Sequence, residues 1–149
     1  MIRSITALVL TSCLASADIW TDAFRIEKIS PPPGVDAQIG GIATTPSGNL
    51  AACFHRGELF IYNPKEDTWK QFASGLHEPL GLLAESDSSF LVMQRPELTR
   101  IKDTDGDGVG DLYQTVFDDF GMTGNYHEFA FGLAQDKEGF CLLYTSDAA

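Results

Sequence analysis

"GIATTPSGNLAACFHRGELFIY" runs from Gly41 to Tyr62, and its pattern returns at Gly81 as "GLLAESDSSFLVMQRPELTRI", ending at Ile101. A shorter third copy, "GLAQDKEGF", begins at Gly132. Each copy opens with a glycine, an aliphatic residue and a further apolar residue. A small residue then marks a turn, at Gly48, Ser88 and Gly139. Apolar runs follow in the first two copies, Leu50 to Phe54 and Phe90 to Met93, and a second turn leads to "GELFIY" or "ELTRI". Short strands between Gly, Pro and Ser turns, at a period of about 40 residues, are the sequence sign of propeller blades. The expectation is an all-β chain whose residues 39–140 form about three blades, the N-terminal part of a truncated β-propeller.

"DTWKQFASGL" (67–76) reads as an outer strand and a return loop, and nothing in the chain shows a sustained helical period. The interval from Gly81 to Gly132 is longer than the one from Gly41 to Gly81. The excess falls in the segment that contains "DTDGDGVGD", residues 103–111. That stretch reads as an insertion hung on a blade, where a functional loop would be placed.

Both ends read differently from the middle. Arg3, the apolar run Ile5 to Leu14 and then Ala15-Ser16-Ala17 have the charge, core and cleavage pattern of a secretory leader over residues 1–17. The run is too short to span a bilayer. The expected location is therefore outside the cytoplasm, periplasmic or extracellular. "LTSC" (10–13) also resembles a bacterial lipobox with Cys13 as the lipidated residue, a less favoured reading because the apolar run would be very short. Residues 18–38 read as a linker, and "SPPPGVDAQ" (30–38) within it favours extended polyproline backbone over helix. At the other end, "CLLYTSDAA" (141–149) looks like the translation of a transposon adapter used in sequencing libraries. The alternative is a natural strand, since "FCLLYTS" has good β character.

Leaving out both ends removes one base and one acid, Arg3 and Asp147, so the formal charge of −11 is unchanged. Such a surface repels nucleic acid and anionic membranes and suits cations. Cys53 is the one cysteine between the leader and the tail, so an intrachain disulfide is not expected within that segment. In its apolar stretch it reads as a small hydrophobe.

The acidic loop has the residue order of a calcium site. Calcium takes six to eight hard oxygens at flexible geometry. Asp103, Asp105 and Asp107 stand at the first, third and fifth positions, and Gly108 at the sixth, where such a loop bends. The carbonyl of Val109 would serve at the seventh and Asp111 at the ninth. Gln114 stands at the twelfth in place of a bidentate glutamate. With one or two oxygens missing, the expected affinity is roughly 10⁻⁴ to 10⁻³ M. Without flanking helices the loop is closer to thrombospondin type 3 and dockerin loops than to an EF-hand. The plainer reading is a polar turn whose aspartates cap backbone amides.

"GLHEPLGLL" (75–83), "FLVMQRPELTRIKDTDGDGVGDLYQTVFDDF" (90–120) and "NYHEFAFGLAQDKEG" (125–139) together resemble the β-propellers related to soluble quinoprotein glucose and sorbosone dehydrogenases. Among these it resembles the exported, so-called membrane-bound dehydrogenase type of planctomycetes and verrucomicrobia. The resemblance covers about residues 24–139. It implies a quinone-dependent sugar or polyol dehydrogenase, with pyrroloquinoline quinone as cofactor and a cytochrome c domain or other acceptor as partner. His127 matches the histidine that acts there as general base on the sugar hydroxyl, a task suited to an imidazole titrating near neutrality. The other reading of His127 is a structural residue bonded to Glu128 or to a carbonyl.

The residues expected to hold the quinone would lie beyond this chain, which is itself not expected to turn over. Gln94-Arg95 stands where those enzymes carry a Glu-Arg pair. Arg95 would bind a carboxylate or phosphate, or pair with a neighbouring acid. His55 with Arg56, and His77 with Glu78, are further candidates to face a central channel, although exposed turn polarity explains them equally well. The alternative function is a non-catalytic, calcium-stabilised propeller that binds carbohydrate or protein. The sequence shows no Gly-rich phosphate loop, zinc-type Cys/His spacing or Gly-x-Ser-x-Gly element.

Overall fold

The structure is a computed structural model that describes residues 24–120, 122 and 124–146. The expected leader, the alternative lipobox at Cys13 and the last three residues of the tail lie outside the described residues. The chain divides into two compact units, Met1–Ser30 and Pro31–Ala149. In the first, the described residues 24–30 are exposed and without regular structure, and Arg25 pairs with Glu27 at 2.8 Å. Residues 31–38 of the second likewise hold no strand or helix, as the three prolines require. Among the described residues no helix is long and apolar enough to cross a membrane.

The second unit is all-β. Strands β1 (Ile39–Thr44), β2 (Leu50–Phe54), β3 (Leu59–Asn63) and β4 (Thr68–Ala73) form an antiparallel meander. The second sheet repeats it with β5 (Gly81–Ser86), β6 (Ser89–Met93), β7 (Leu98–Lys102) and β8 (Leu112–Phe117). Strands β9 (Ala130–Gln135) and β10 (Cys141–Thr145) form a two-stranded third sheet. The sheets do not close on one another. The tail residues that resemble an adapter thus form the whole of β10, with Cys141 opposite Gln135 and Tyr144 opposite Phe131.

The sequence period has a physical cause at the first strand of each sheet. Strand β1 lies beside β5, and β5 beside β9. A Cβ on Gly40 would sit 1.8 Å from the Pro79 carbonyl oxygen, and one on Gly81 would sit 1.6 Å from that of Gly132. Only a residue without a side chain allows such an approach of backbones. A Cβ on Gly41 would likewise sit 2.8 Å from the Leu82 amide nitrogen. The glycines that open the first two copies are therefore a packing requirement between neighbouring sheets, whereas Gly132 of the third copy has a left-handed φ of +91°.

Period-two alternation sorts the side chains into two layers. Ala51, Cys53, Leu59 and Phe72 of the first sheet meet Leu82, Phe90, Val92 and Ile101 of the second. The Phe72 and Phe90 rings meet edge to face at 4.9 Å. On its other face the second sheet offers Leu91, Met93 and Leu98 to Ala130, Leu133 and Leu143. Strand β6 is therefore covered on both sides, which explains why Phe90–Met93 is a continuous apolar run rather than an alternating one. Burying each such side chain contributes about 1.5–3 kcal/mol.

The longer second interval is divided differently from the expectation. The acidic connection between β7 and β8 spans nine residues (103–111), where the equivalent turn in the first sheet spans four (64–67). The connection from β8 to β9 spans twelve (118–129), where its counterpart spans seven (74–80). Extra length thus enters at two places, one at each end of the sheet. The second of them carries His127.

Candidate functional site at one end of the sheets

Antiparallel pairing brings four separate segments to one end of the sheets. These are the β2–β3 turn with His55, the β4–β5 connection with His77 and Glu78, the β6–β7 turn with Gln94 and Arg95, and residues 125–129 ahead of β9. Glu78 is at their centre. Its backbone adopts φ +47°, a left-handed conformation that is uncommon outside glycine. Arg95 Nη1 donates to Glu78 Oε2 at 3.1 Å. His55 Nε2 lies 3.6 Å from Glu78 Oε1, and His77 Nε2 lies 3.9 Å from Oε2. The turn holding Arg95 is fixed in turn: its amide donates to the His77 carbonyl at 3.0 Å, and Gln94 Oε1 accepts the His77 amide at 2.7 Å.

The rest of the Arg95 guanidinium faces the His127 segment. Nη2 donates to the Asn125 carbonyl at 2.8 Å and Nε to the Glu128 carbonyl at 3.1 Å. The planar group lies over the Phe129 ring at 4.9 Å and near the Tyr126 ring at 5.7 Å. Its side chain is only 11% exposed. Of the two roles the sequence left open for Arg95, the structure shows the pairing with a neighbouring acid. His127 itself is exposed, its imidazole edge-on to Tyr126 at 5.7 Å. Its amide donates to Asn125 Oδ1 at 3.1 Å, and its carbonyl accepts the Ser146 hydroxyl at 2.8 Å. Sequence reasoning passed over Tyr126 and Phe129, although the aromatic pair in "NYHEF" brackets the histidine.

The acidic loop lies elsewhere. Strand β7 separates it from the Arg95 turn by five residues, roughly 17 Å of extended chain. Within the loop, Asp103, Asp105 and Asp107 each turn one carboxylate oxygen to a common point, all within 4.8 Å of one another. The same side chains cap the winding backbone. Asp103 accepts the amides of Gly106 at 2.7 Å and Gly108 at 2.8 Å, Asp105 accepts that of Asp107 at 3.2 Å, and Asp107 accepts that of Val109 at 2.7 Å. Desolvation works against ionisation of Asp103, yet the Gly106 and Gly108 amides and Asp105 hold its carboxyl below the usual aspartate range.

Asp111 stands apart from this trio. Its two oxygens accept the Thr104 hydroxyl at 2.5 Å and the Thr104 amide at 2.9 Å, and this bonding lowers its pKa. The loop is fastened to the neighbouring sheet as well. Lys70 of β4 donates to the Asp107 carbonyl, the Gly110 amide donates to the Phe72 carbonyl at 2.7 Å, and the Tyr113 hydroxyl donates to the Ser74 carbonyl at 3.2 Å.

No known family model matches the chain, and no curated protein does either.

Proposed function

We propose that the three sheets are successive blades of an exported β-propeller of the quinoprotein sugar dehydrogenase kind, and that their Glu78–Arg95 end binds a sugar or polyol. The observation that carries this reading is the convergence of His55, His77, Glu78, Arg95 and the His127 segment, drawn from all three sheets, at one end. Exposed Tyr126 offers an apolar ring face beside hydrogen-bonding imidazoles, a combination that suits a hydroxylated ring. Calcium is proposed for Asp103, Asp105 and Asp107, with carbonyl help from Val109. At the far end of β7 the ion would serve the loop and not the ligand.

The quinone is a different matter. It is an anionic tricarboxylate and calls for uncommitted cations. Among the described residues, the two guanidinium groups at this end are already paired, Arg95 with Glu78 at 3.1 Å and Arg56 with Asp36 at 3.6 Å. Neither guanidinium is therefore offered to pyrroloquinoline quinone, whose cations the resemblance places outside these residues. The reading kept for this chain is binding, with a dehydrogenase role, His127 as base and a cytochrome c acceptor as the alternative.

The test is calorimetric titration of the chain with D-glucose and with sorbitol, in parallel with a dye-linked oxidation assay containing added quinone and calcium. Binding without turnover, weakened in Tyr126→Ala, is the expected result. Turnover abolished by His127→Ala would restore the dehydrogenase reading. Absence of binding by both compounds would remove the sugar or polyol assignment.

A further inference from the structure

We infer that Arg95 is a positioning residue, a clamp that sets the conformation of the segment presenting His127. The inference rests on the reading of that end as the ligand site, but the clamp is argued from its own geometry. Residues 118–129 form a connection of twelve residues, and exposed connections of that length do not hold one conformation without fastening. Ser146 holds the His127 and Phe129 backbone from the third sheet's side, and Arg95 supplies the fastening from the middle sheet. Its Nη2 and Nε take the carbonyls of Asn125 and Glu128, which bracket Tyr126 and His127. Phe129 covers the guanidinium face, which shields both bonds from water.

Glu78 completes the device from the opposite side. By accepting from Nη1 it fixes the rotation of the guanidinium plane, so that the other two donor directions meet the two carbonyls. The left-handed backbone at Glu78 aims the carboxylate there. A lysine at position 95 would keep the charge and the ion pair. It would lack the fork that reaches two carbonyls at once.

The experiment compares amide hydrogen exchange and imidazole NMR chemical shifts at one pH in the full chain, in Arg95→Lys, in Arg95→Met and in Glu78→Gln. The expected result for both Arg95 variants is exchange about tenfold faster at residues 125–129, with sheet amides of β1–β4 unchanged. The His127 imidazole resonance should move toward its free-peptide position, while His55 and His77 stay separately resolved. Glu78→Gln, which keeps a neutral acceptor, should loosen the segment less. Unchanged exchange and an unmoved His127 signal in Arg95→Lys would overturn the clamp. Uniform loosening of all the sheets would overturn it too, since Arg95 would then be a general stabiliser. These readouts need no sugar, so failure of glucose binding would sink the ligand reading and leave the clamp standing.

Discussion

Gly81 and Gly132 meet backbone to backbone: a Cβ on Gly81 would lie 1.6 Å from the Gly132 carbonyl oxygen. Two glycines 51 positions apart thus fix how closely the second and third sheets approach. Gly81→Ala must push β5 and β9 apart and open the layer that contains Met93 and Ala130. The expected cost is at least about 2 kcal/mol in denaturant unfolding. Gly124→Ala, which meets nothing within 4 Å, should change stability by less than about 0.5 kcal/mol. Equal stability of the two variants would contradict the packing account.

Cys53 sits in the same kind of layer, fully buried between the first two sheets. Burial pushes its thiol pKa up to about 12. Alkylation of the folded chain at pH 8 should therefore modify exposed Cys141 and leave Cys53 untouched. Peptide mapping after labelling checks this. Cys53 should react only once denaturant has opened the sheets.

Glu85 and Arg100 pair across the second sheet at 2.8 and 2.7 Å, and Ser89 donates a further bond at 2.7 Å. The Arg100 guanidinium, against some desolvation and with help from Ser89, holds the Glu85 carboxyl below the ordinary glutamate range. A lowered folded pKa means that the unfolded chain binds the proton more readily. The pair's contribution is thus complete above about pH 4.3 and lost as pH falls through the folded value. Glu85→Gln should flatten that part of the acid-unfolding curve. At pH 7 it should cost at most about 1 kcal/mol, because both side chains are a quarter exposed.

For the acidic loop, 10 mM calcium should stabilise the chain by about 1.4–2.7 kcal/mol if the affinity is near 10⁻³ to 10⁻⁴ M. The Asp105→Ala, Asp107→Ala double variant should lose that increment. Lys70 places an ammonium on the Asp107 carbonyl, within the loop that carries the three carboxylates. Lys70→Met should therefore tighten calcium binding by roughly two- to fivefold. Titration monitored by thermal unfolding distinguishes these outcomes, and equal behaviour of wild type and double variant would remove the metal.

The sheet plan was legible because its cause is local and recurrent. The glycine, the turn and the apolar run return in the same order in the first two copies, where the glycine marks a backbone approach and the run a buried strand. The loop trio was legible for the same reason, since alternating aspartates lie within five positions. Asp111, at the ninth position, bonds Thr104 seven residues earlier through both of its oxygens, a pairing that the spacing of the aspartates does not mark.

The Glu78–Arg95 end was legible only in pieces. Arg95 is 17 positions from Glu78 and 30 or more from Asn125 and Glu128, and two of its three bonds go to carbonyls, which no side-chain pattern marks. The division of extra length was hidden as well. Spacing between copies reports a sum, and only strand boundaries separate the acidic loop from the His127 connection.

The most direct test of the two-ended account is a chemical-shift map of the labelled chain titrated with D-glucose and then with calcium. The account predicts that glucose moves the resonances of His55, His77, Glu78, Arg95 and residues 125–129, and that calcium moves residues 103–109 alone. Glucose-induced shifts in the acidic loop, or none at the Glu78–Arg95 end, would contradict it.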